Sequence, residues 1–323
     1  MAKFLRNRGS SVATKIIAAG GSNIRVPRSA VQLPAPVWYA TLDGTLDSTT
    51  GSGTFTRTGD ASYTAGGEIG YVALNTPRYQ DGGIIIEPES TNYAQQNLRM
   101  GDQAPWVTGF SGGYDPESIE APDGTTTALE IWAIDAFSAT IQQTMDTVAT
   151  IAAADPVTVS FYAKSLGTNV NPYVRVNYRD QAAINSFVYF DVTTGQLANT
   201  DPGAGVTISD VTITPGPNGF TRYAFTLNET GAGQDAVITF AISNSSTALT
   251  STASSQGNGA VLWGAQVEQQ PWASLFIRNT TSANIVRGQD FPKLTGMPGG
   301  YPRSLGALSL SVTALVPSAQ STD

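Results

Sequence analysis

The feature that most constrains this chain is a two-residue alternation of apolar and polar side chains in short segments. Residues 156–164 place valine, phenylalanine and alanine at every second position, and residues 220–227 and 236–242 repeat the pattern. Such alternation is typical of β-strands with one buried face. Glycine- and proline-rich turns separate the segments, which favours antiparallel strands with short connections. The pattern therefore predicts an all-β fold, an antiparallel β-sandwich of the jelly-roll type.

Further segments of strand composition extend the predicted sandwich over residues 93–277. Many short strands at this spacing are typical of two packed sheets, which hide most strand edges. Helix is expected to be scarce, and residues 93–100 are the best candidate for a turn or two. The additional predicted strands are 126–133, 138–145, 173–179, 186–192, 206–213 and 260–268.

The remainder of the chain divides into three predicted segments. Residues 1–35 form an extended arm, and residues 36–92 form a small β subdomain or a collar around the sandwich. Residues 278–323 are predicted as a linker, poor in strands from Pro292 to Pro302, followed by the start of a further β element. That last element rests on new alternation between Leu305 and Leu315.

The predicted arm is basic and contains no acidic residue. Its small and polar residues cannot bury much apolar surface, so it is not expected to fold alone. Two interpretations stay open: a solvated tail, or a docking arm that orders against the acidic surface of a partner protein. The candidate docking residues are Arg6, Arg8, Lys15, Arg25 and Arg28.

Composition excludes several classes of function. The chain has no cysteine and no histidine, so disulfides, thiolate metal sites and histidine-dependent triads are excluded. Its net charge of −8 argues against a nucleic-acid partner, because phosphate binding needs clustered lysine and arginine. No apolar run approaches the roughly 20 residues of a membrane span, so membrane insertion is not expected. A pair of carboxylates is the only common hydrolytic chemistry left.

Four carboxylates cluster within nine residues and are the candidates for such a pair: Asp115, Glu117, Glu120 and Asp123. A glycosidase needs two facing carboxyls, one with a raised pKa. These four fall in a segment predicted as a proline- and glycine-rich loop, where water keeps pKa values ordinary, so we expect no enzyme and no catalytic residue. The same segment is a candidate for binding Ca²⁺, because this ion takes several oxygen ligands from acids and backbone. No other cofactor is expected.

Aromatic and polar residues suggest a glycan-binding surface instead. Sugar rings stack on exposed tryptophan and tyrosine faces, while amides and arginines bond the hydroxyls. Trp106 and Tyr114 are candidates near predicted loops, and Tyr173, Arg175 and Asn177 share one face of a predicted strand. The alternative for any one of these aromatic rings is burial in the core or in a subunit interface.

Three sequence blocks resemble a known family. The first covers Thr54–Arg57, Tyr63, Asn75–Arg78 and Gly83–Asn92, the second is Ala121–Ala128, and the third is Trp263–Gln270 followed by Ala273–Ile277. In order and spacing they are similar to bacteriophage virion structural proteins, of the tail fibre, spike or head-decoration type, that carry a jelly-roll, carbohydrate-binding-module-like domain. The resemblance covers roughly residues 54–290.

The resemblance implies a non-enzymatic protein located in the virion. It implies a tail fibre or spike component that attaches through the N-terminal arm and binds host surface glycans. Its expected partners are itself, as a homotrimer, other virion proteins and a host glycan. Two alternatives stay open: a capsid decoration or head-fibre protein that stabilises the shell, and a polysaccharide-degrading enzyme.

Overall fold

The structure is a computed structural model. It describes residues 3–6, 13–16, 52–80, 83–101, 104–109, 112–136, 138–145, 154–228, 230–231 and 235–295. By their contacts, residues 55–291 form one compact unit, and residues 1–54 group with 292–323. The predicted division into four segments stays a prediction.

The described part contains 22 strands and a single 3-10 turn at Pro217–Gly219. The strands are β1 (Lys3–Arg6), β2 (Ala13–Ile16), β3 (Ser52–Thr56), β4 (Ala61–Ala65), β5 (Glu68–Val72), β6 (Arg78–Gln80), β7 (Gly83–Ile85), β8 (Ser90–Asn92), β9 (Val107–Gly109), β10 (Gly112–Ile119), β11 (Ala128–Ala133), β12 (Thr140–Thr144), β13 (Pro156–Ser165), β14 (Tyr173–Arg179), β15 (Asn185–Asp191), β16 (Gln196–Asp201), β17 (Ile208–Pro215), β18 (Thr221–Asn228), β19 (Val237–Ser243), β20 (Ala260–Glu268), β21 (Ile285–Arg287) and β22 (Phe291–Thr295).

Two six-stranded antiparallel sheets form the sandwich. We call the sheet with order β10-β11-β20-β13-β18-β17 the covered sheet, and the sheet with order β16-β15-β14-β19-β12-β9 the open sheet. Every strand pairing in both is antiparallel. The predicted all-β sandwich is therefore confirmed, and β14 and β20 have the predicted bounds.

The main core lies between the two sheets. Alternate residues of β13 point into it, and Phe161 is fully buried at its centre. The Phe161 ring lies 5.0 Å from that of Phe240, 5.4 Å from that of Tyr223 and 5.8 Å from that of Phe190. Aromatic pairs at these spacings add attraction beyond the area that they bury. The alternation seen in the sequence thus builds one aromatic centre from both sheets.

A second apolar cluster lies on the outer face of the covered sheet. Tyr162 and Trp263 of that face pack against Phe276 and Ile69, which lie outside both sheets. The Tyr162 and Trp263 rings are 5.6 Å apart, and the Trp263 and Phe276 rings 4.6 Å. The short strands before β9 and the segment after β20 therefore form a third layer on this sheet.

Buried ion pairs hold this layer together. Asp290 accepts hydrogen bonds from Arg57, at 3.1 Å, and from Arg78, and all three side chains are fully buried. Glu87 accepts from Arg78 at 2.7 Å and from Arg287 at 2.6 Å. Because buried charges need both a counter-ion and hydrogen bonds, each group depends on the others. The network joins residues 55–92 to residues 287–290.

Glu268 anchors the same layer to the end of β20. Its carboxylate is fully buried and accepts hydrogen bonds from Ser90 Oγ at 2.6 Å, Gln270 Nε2 at 2.9 Å and the Ser274 N–H at 3.1 Å. Burial raises the pKa of Glu268, while hydrogen bonds from the side chains of Ser274, Ser90 and Gln266 act in the opposite direction. The sequence blocks that resemble the virion family contain Glu268, Glu87, Arg57 and Arg78. These blocks therefore supply the buried contacts that hold the third layer.

The structure corrects three local predictions. Residues 93–100 form turns rather than helix, because Asn92 and Asn97 tie this segment to the Ile277 carbonyl. Residues 112–119 are a strand, not a loop, because β10 pairs with β11 around a bulge. Residues 291–295, predicted as linker, are strand β22, which pairs with β3. The alternation at 305–315 lies outside the described residues.

Tyr223 gives the core a measurable pH dependence. Burial raises the pKa of its phenol from 10.0 to about 12. Between these pH values the unfolded chain loses the Tyr223 proton while the folded protein keeps it, so the free energy of unfolding falls as pH rises. We expect that decline to be shallower in Tyr223→Phe, measured by urea unfolding from pH 9 to 12. If the free energy of unfolding fell equally steeply with pH in both proteins, the decline would not come from Tyr223.

Candidate functional site

The outer face of the open sheet carries the predicted polar strand face. Along β14, residues alternate between buried and partly exposed, and Tyr173, Arg175 and Asn177 are among the partly exposed ones. From Tyr173 to Asn177 the strand advances about 13 Å, at roughly 3.3 Å per residue. The sequence prediction that these three side chains share one face is confirmed. We call this surface the β14 face.

The neighbouring strand β15 adds the partly exposed Phe187 ring to the β14 face, and the Tyr189 ring beside it is buried. Arg175 is paired with Tyr189, and Asn177 with Phe187. The Arg175 guanidinium lies 4.0 Å from the centroid of the Phe187 ring, a cation–π contact that holds the arginine against the sheet. Asn177 donates from Nδ2 to Asn185 Oδ1 at 3.1 Å.

Charge on the β14 face is partly balanced. Burial lowers the pKa of Arg175, whereas Tyr189 and Asp201 act to raise it. Arginine stays protonated because its ordinary pKa exceeds 12. Burial raises the pKa of Tyr189, so its phenol remains a neutral donor and acceptor at physiological pH. The face therefore offers two cations, Arg175 and Arg179, and two amides, Asn177 and Asn185, beside the buried phenol of Tyr189.

Several polar atoms on this face lack a hydrogen-bond partner among the described residues. They are Arg175 Nε, Asn177 Oδ1 and Arg179 Nε, all buried as atoms. Unsatisfied buried donors and acceptors are costly and call for an explanation, such as a ligand or ordered water. Neighbouring groups cover these three atoms, so a ligand could bond them only after those groups move.

Trp106 does not belong to this site, contrary to the sequence prediction. It is only 7% exposed, and its ring centroid lies 6.3 Å from that of Phe240 in the core. Its indole N–H donates to the Gln95 carbonyl at 2.7 Å. A buried tryptophan usually finds such a partner for its N–H, so position near a loop did not mean exposure.

Tyr114 is exposed, at 47%, but lies elsewhere. It belongs to β10, the edge strand of the covered sheet, while Tyr173 lies on the third strand of the open sheet. Tyr114 lines a cleft of about 210 Å³ with Thr108, Gly112 and Ile131. The structure therefore does not bring Tyr114 together with Tyr173, Arg175 and Asn177.

Asp115, the first acid of the stretch around β10, lies beside a buried carboxyl of β11. Asp115 is paired with Glu130 on β11, and burial raises the pKa of Glu130. Glu130 is buried and accepts the Gly257 N–H, while Asp115 accepts from Gln256. Glu130 is therefore shielded from solvent, whereas Asp115 is only partly buried. Within the described ranges no three or more acidic side chains could hold a metal ion, and the calcium site stays a prediction without support from geometry.

Two of the predicted docking residues lie in the described part of the N-terminal segment. Arg6 ends β1 and Lys15 lies in β2, and these strands pair with each other. The register places Arg6 opposite Ala13 and Lys15 opposite Phe4. Arg8, Arg25 and Arg28 lie outside the described residues. Hence part of the predicted arm is a two-stranded hairpin, and its docking role stays a prediction.

The sequence did not reveal Phe187, Tyr189, Asn185 and Asp201 as members of the site. Each lies on β15 or β16, and strand pairing alone brings it beside β14. Alternation in residues 186–192 predicted the strand but not its neighbour or its register. An aromatic residue at both 187 and 189 was the available signal for an aromatic pair on one strand face.

Comparison with known proteins leaves the family of this chain open. No family model matches the chain, and no curated protein does. Among solved structures, the CBM22-1 xylan-binding domain of Paenibacillus barcinonensis Xyn10C is similar, with a TM-score of 0.34 and 11% identity over 57% of this chain and 94% of that domain. A likeness this weak carries no argument about function. No helix in the described part of the chain is long and apolar enough to span a bilayer.

Proposed function

We propose that this chain is a non-enzymatic bacteriophage virion structural protein that binds host surface glycans through the β14 face. It is a component of a tail fibre or spike and attaches through its N-terminal arm. The observation that carries the glycan-binding part is the grouping of the partly exposed Tyr173, Arg175 and Asn177 on one outer sheet face, beside the partly exposed Phe187 ring. The virion part is supported by the resemblance of the three sequence blocks.

The contrast between the two sheets supports the choice of this face. The outer face of the covered sheet is filled by the third layer, so it is not available to a ligand. The described residues place no such apolar cluster on the outer face of the open sheet. A polysaccharide chain needs a surface about two or three sugar rings long, and the β14 face extends about 13 Å along one strand.

Host binding by an arginine variant tests the glycan-binding part. We expect Arg175→Ala to weaken retention on isolated host surface polysaccharide by about tenfold or more, because central arginines often dominate binding. Arg99→Ala is the matched control, since Arg99 is exposed and pairs with Glu117 of β10, a strand of the covered sheet. Equal retention of both variants and the wild type would exclude the β14 face.

Particle location tests the virion part and its alternative. We expect immunogold labelling at the tail and a homotrimer in light scattering of the purified protein. Labelling over the capsid would instead support the decoration or head-fibre alternative.

Deleting residues 2–30 is expected to leave the sandwich folded and to prevent incorporation of the protein into virus particles. Normal loading of the truncated protein would show that attachment lies elsewhere.

A further inference from the structure

A second cleft lies at one end of the sandwich, away from the β14 face. It has a volume of about 330 Å³ and lies where β20 ends and β13 begins. Its walls are Trp272, Pro88, Pro156 and Pro271, and its polar groups are Glu89, Asp155, Gln269 and Gln270. This volume is at the small end of ligand sites, so it suits one ring rather than a polymer.

The loop that carries Trp272 is fixed at both ends by Glu268. Gln270 donates to one carboxylate oxygen at 2.9 Å, and the Ser274 N–H donates to the other at 3.1 Å. Thr158 Oγ1 also donates to the Gln270 carbonyl. Trp272 lies between these two anchors, partly exposed. A tryptophan held in this way loses little conformational freedom when a ligand binds.

The chemistry of the lining defines the ligand. The indole and the three proline rings offer rigid apolar surface, while Gln269 and the two carboxylates offer acceptors and an amide donor close to it. Gln269 is itself positioned by donating to Asp155. An apolar face with hydroxyls around its rim is the complementary ligand. No basic residue lines the cleft, which disfavours anionic ligands such as uronates and phosphates.

We propose that this cleft, which we call the Trp272 cleft, binds a single neutral sugar ring stacked on the indole. Gln269 and Asp155 bond adjacent hydroxyls of that ring. The site is separate from the β14 face and does not depend on the function proposed for it. A single ring has few atoms to contribute, so its Kd is expected to be about millimolar.

Indole N–H resonances test this proposal in the full chain. The chain has five tryptophans, and Trp272→Phe assigns the signal of Trp272. We expect methyl β-D-glucopyranoside, methyl β-D-galactopyranoside or N-acetyl-D-glucosamine to shift that signal saturably at millimolar concentration. Glucuronic acid is expected not to shift it. Trp272→Ala should raise the Kd for these sugars by at least about tenfold, measured from backbone amide shifts around the cleft.

Two variants separate this site from other effects. Trp132→Phe changes a tryptophan outside the cleft, and Arg175→Ala changes the β14 face; both are expected to keep the Kd for the sugar. The proposal is overturned if none of the three neutral sugars moves the Trp272 signal. It is also overturned if butylamine moves the signal and the sugars do not, which would identify a cation site instead. Loss of the Trp272 response in Arg175→Ala would show that the two sites are not separate.

Discussion

Replacing Asp290 with alanine is expected to lower the free energy of unfolding by about 3–5 kcal/mol. The change removes the carboxylate that pairs with Arg57 and Arg78, both fully buried. It also removes the acceptor for the Glu87 N–H. Two guanidinium groups then stay in the interior with too few acceptors, which is the costly way to break a buried pair. At about 2–4 °C per kcal/mol for a unit of this size, the Tm should fall by about 10 °C.

Two further variants make the Asp290 result specific. Asp290→Asn keeps the shape and one acceptor oxygen but removes the charge, so we expect an intermediate loss. Glu120→Ala removes an exposed carboxylate and should change stability by no more than about 0.5 kcal/mol. Chemical unfolding followed by circular dichroism measures all three. A loss below about 1 kcal/mol in Asp290→Ala would mean that the network does not hold the third layer.

Replacing Phe161 with alanine is expected to cost about 3–5 kcal/mol, the usual range for removing a fully buried phenylalanine. Phe161 contacts aromatic rings from both sheets, at 5.0 Å for Phe240 and 5.4 Å for Tyr223. The cavity left by alanine lies at the centre of the sandwich, where the surrounding rings cannot easily close it. The rigid packing of protein interiors makes such cavities expensive.

Two further variants show whether the loss of stability comes from the position of Phe161 in the core. Phe161→Leu keeps much of the apolar volume and should lose less stability than Phe161→Ala. Phe187→Leu changes a partly exposed ring on the β14 face and should lose less again. Urea unfolding monitored by tryptophan fluorescence gives the comparison. A Phe161→Ala loss as small as that of Phe187→Leu would contradict the placement of Phe161 at the centre of the core.

The elements that the sequence predicted best are those with a strict alternation. In β13 and β14 every second residue is apolar and buried, so periodicity alone set both the strand and its inward face. For the same reason Tyr173, Arg175 and Asn177 were correctly placed on one outer face. The two-sheet class followed because such strands, separated by short turns, must bury their apolar faces against each other.

What the sequence did not predict depends on contacts between distant residues. Trp106 was expected to be exposed, but the Gln95 carbonyl and Phe240 bury it. β10 contains Pro116 and two glycines, which favour a loop, yet pairing with β11 makes it an edge strand. The sequence did not predict that Phe187 and Tyr189 lie beside β14, because this depends on the register with which β15 pairs with β14.

The third layer changes how the family-like sequence blocks are interpreted. Four of their charged residues, Arg57, Arg78, Glu87 and Glu268, are engaged in buried or partly buried contacts. Removing them is therefore expected to affect folding first. The β14 face lies outside those blocks, whereas the Trp272 cleft is lined partly by their residues Glu89, Gln269 and Gln270.

Backbone amide chemical shifts of the protein titrated with host surface polysaccharide test the central claim most directly. Our account predicts that the largest shifts cluster on β14 and β15, around Tyr173, Arg175, Asn177, Phe187 and Tyr189, and that Arg175→Ala removes them. Shifts confined to the covered sheet or its third layer, or an unchanged spectrum with polysaccharide to which the intact virion adsorbs, would contradict it.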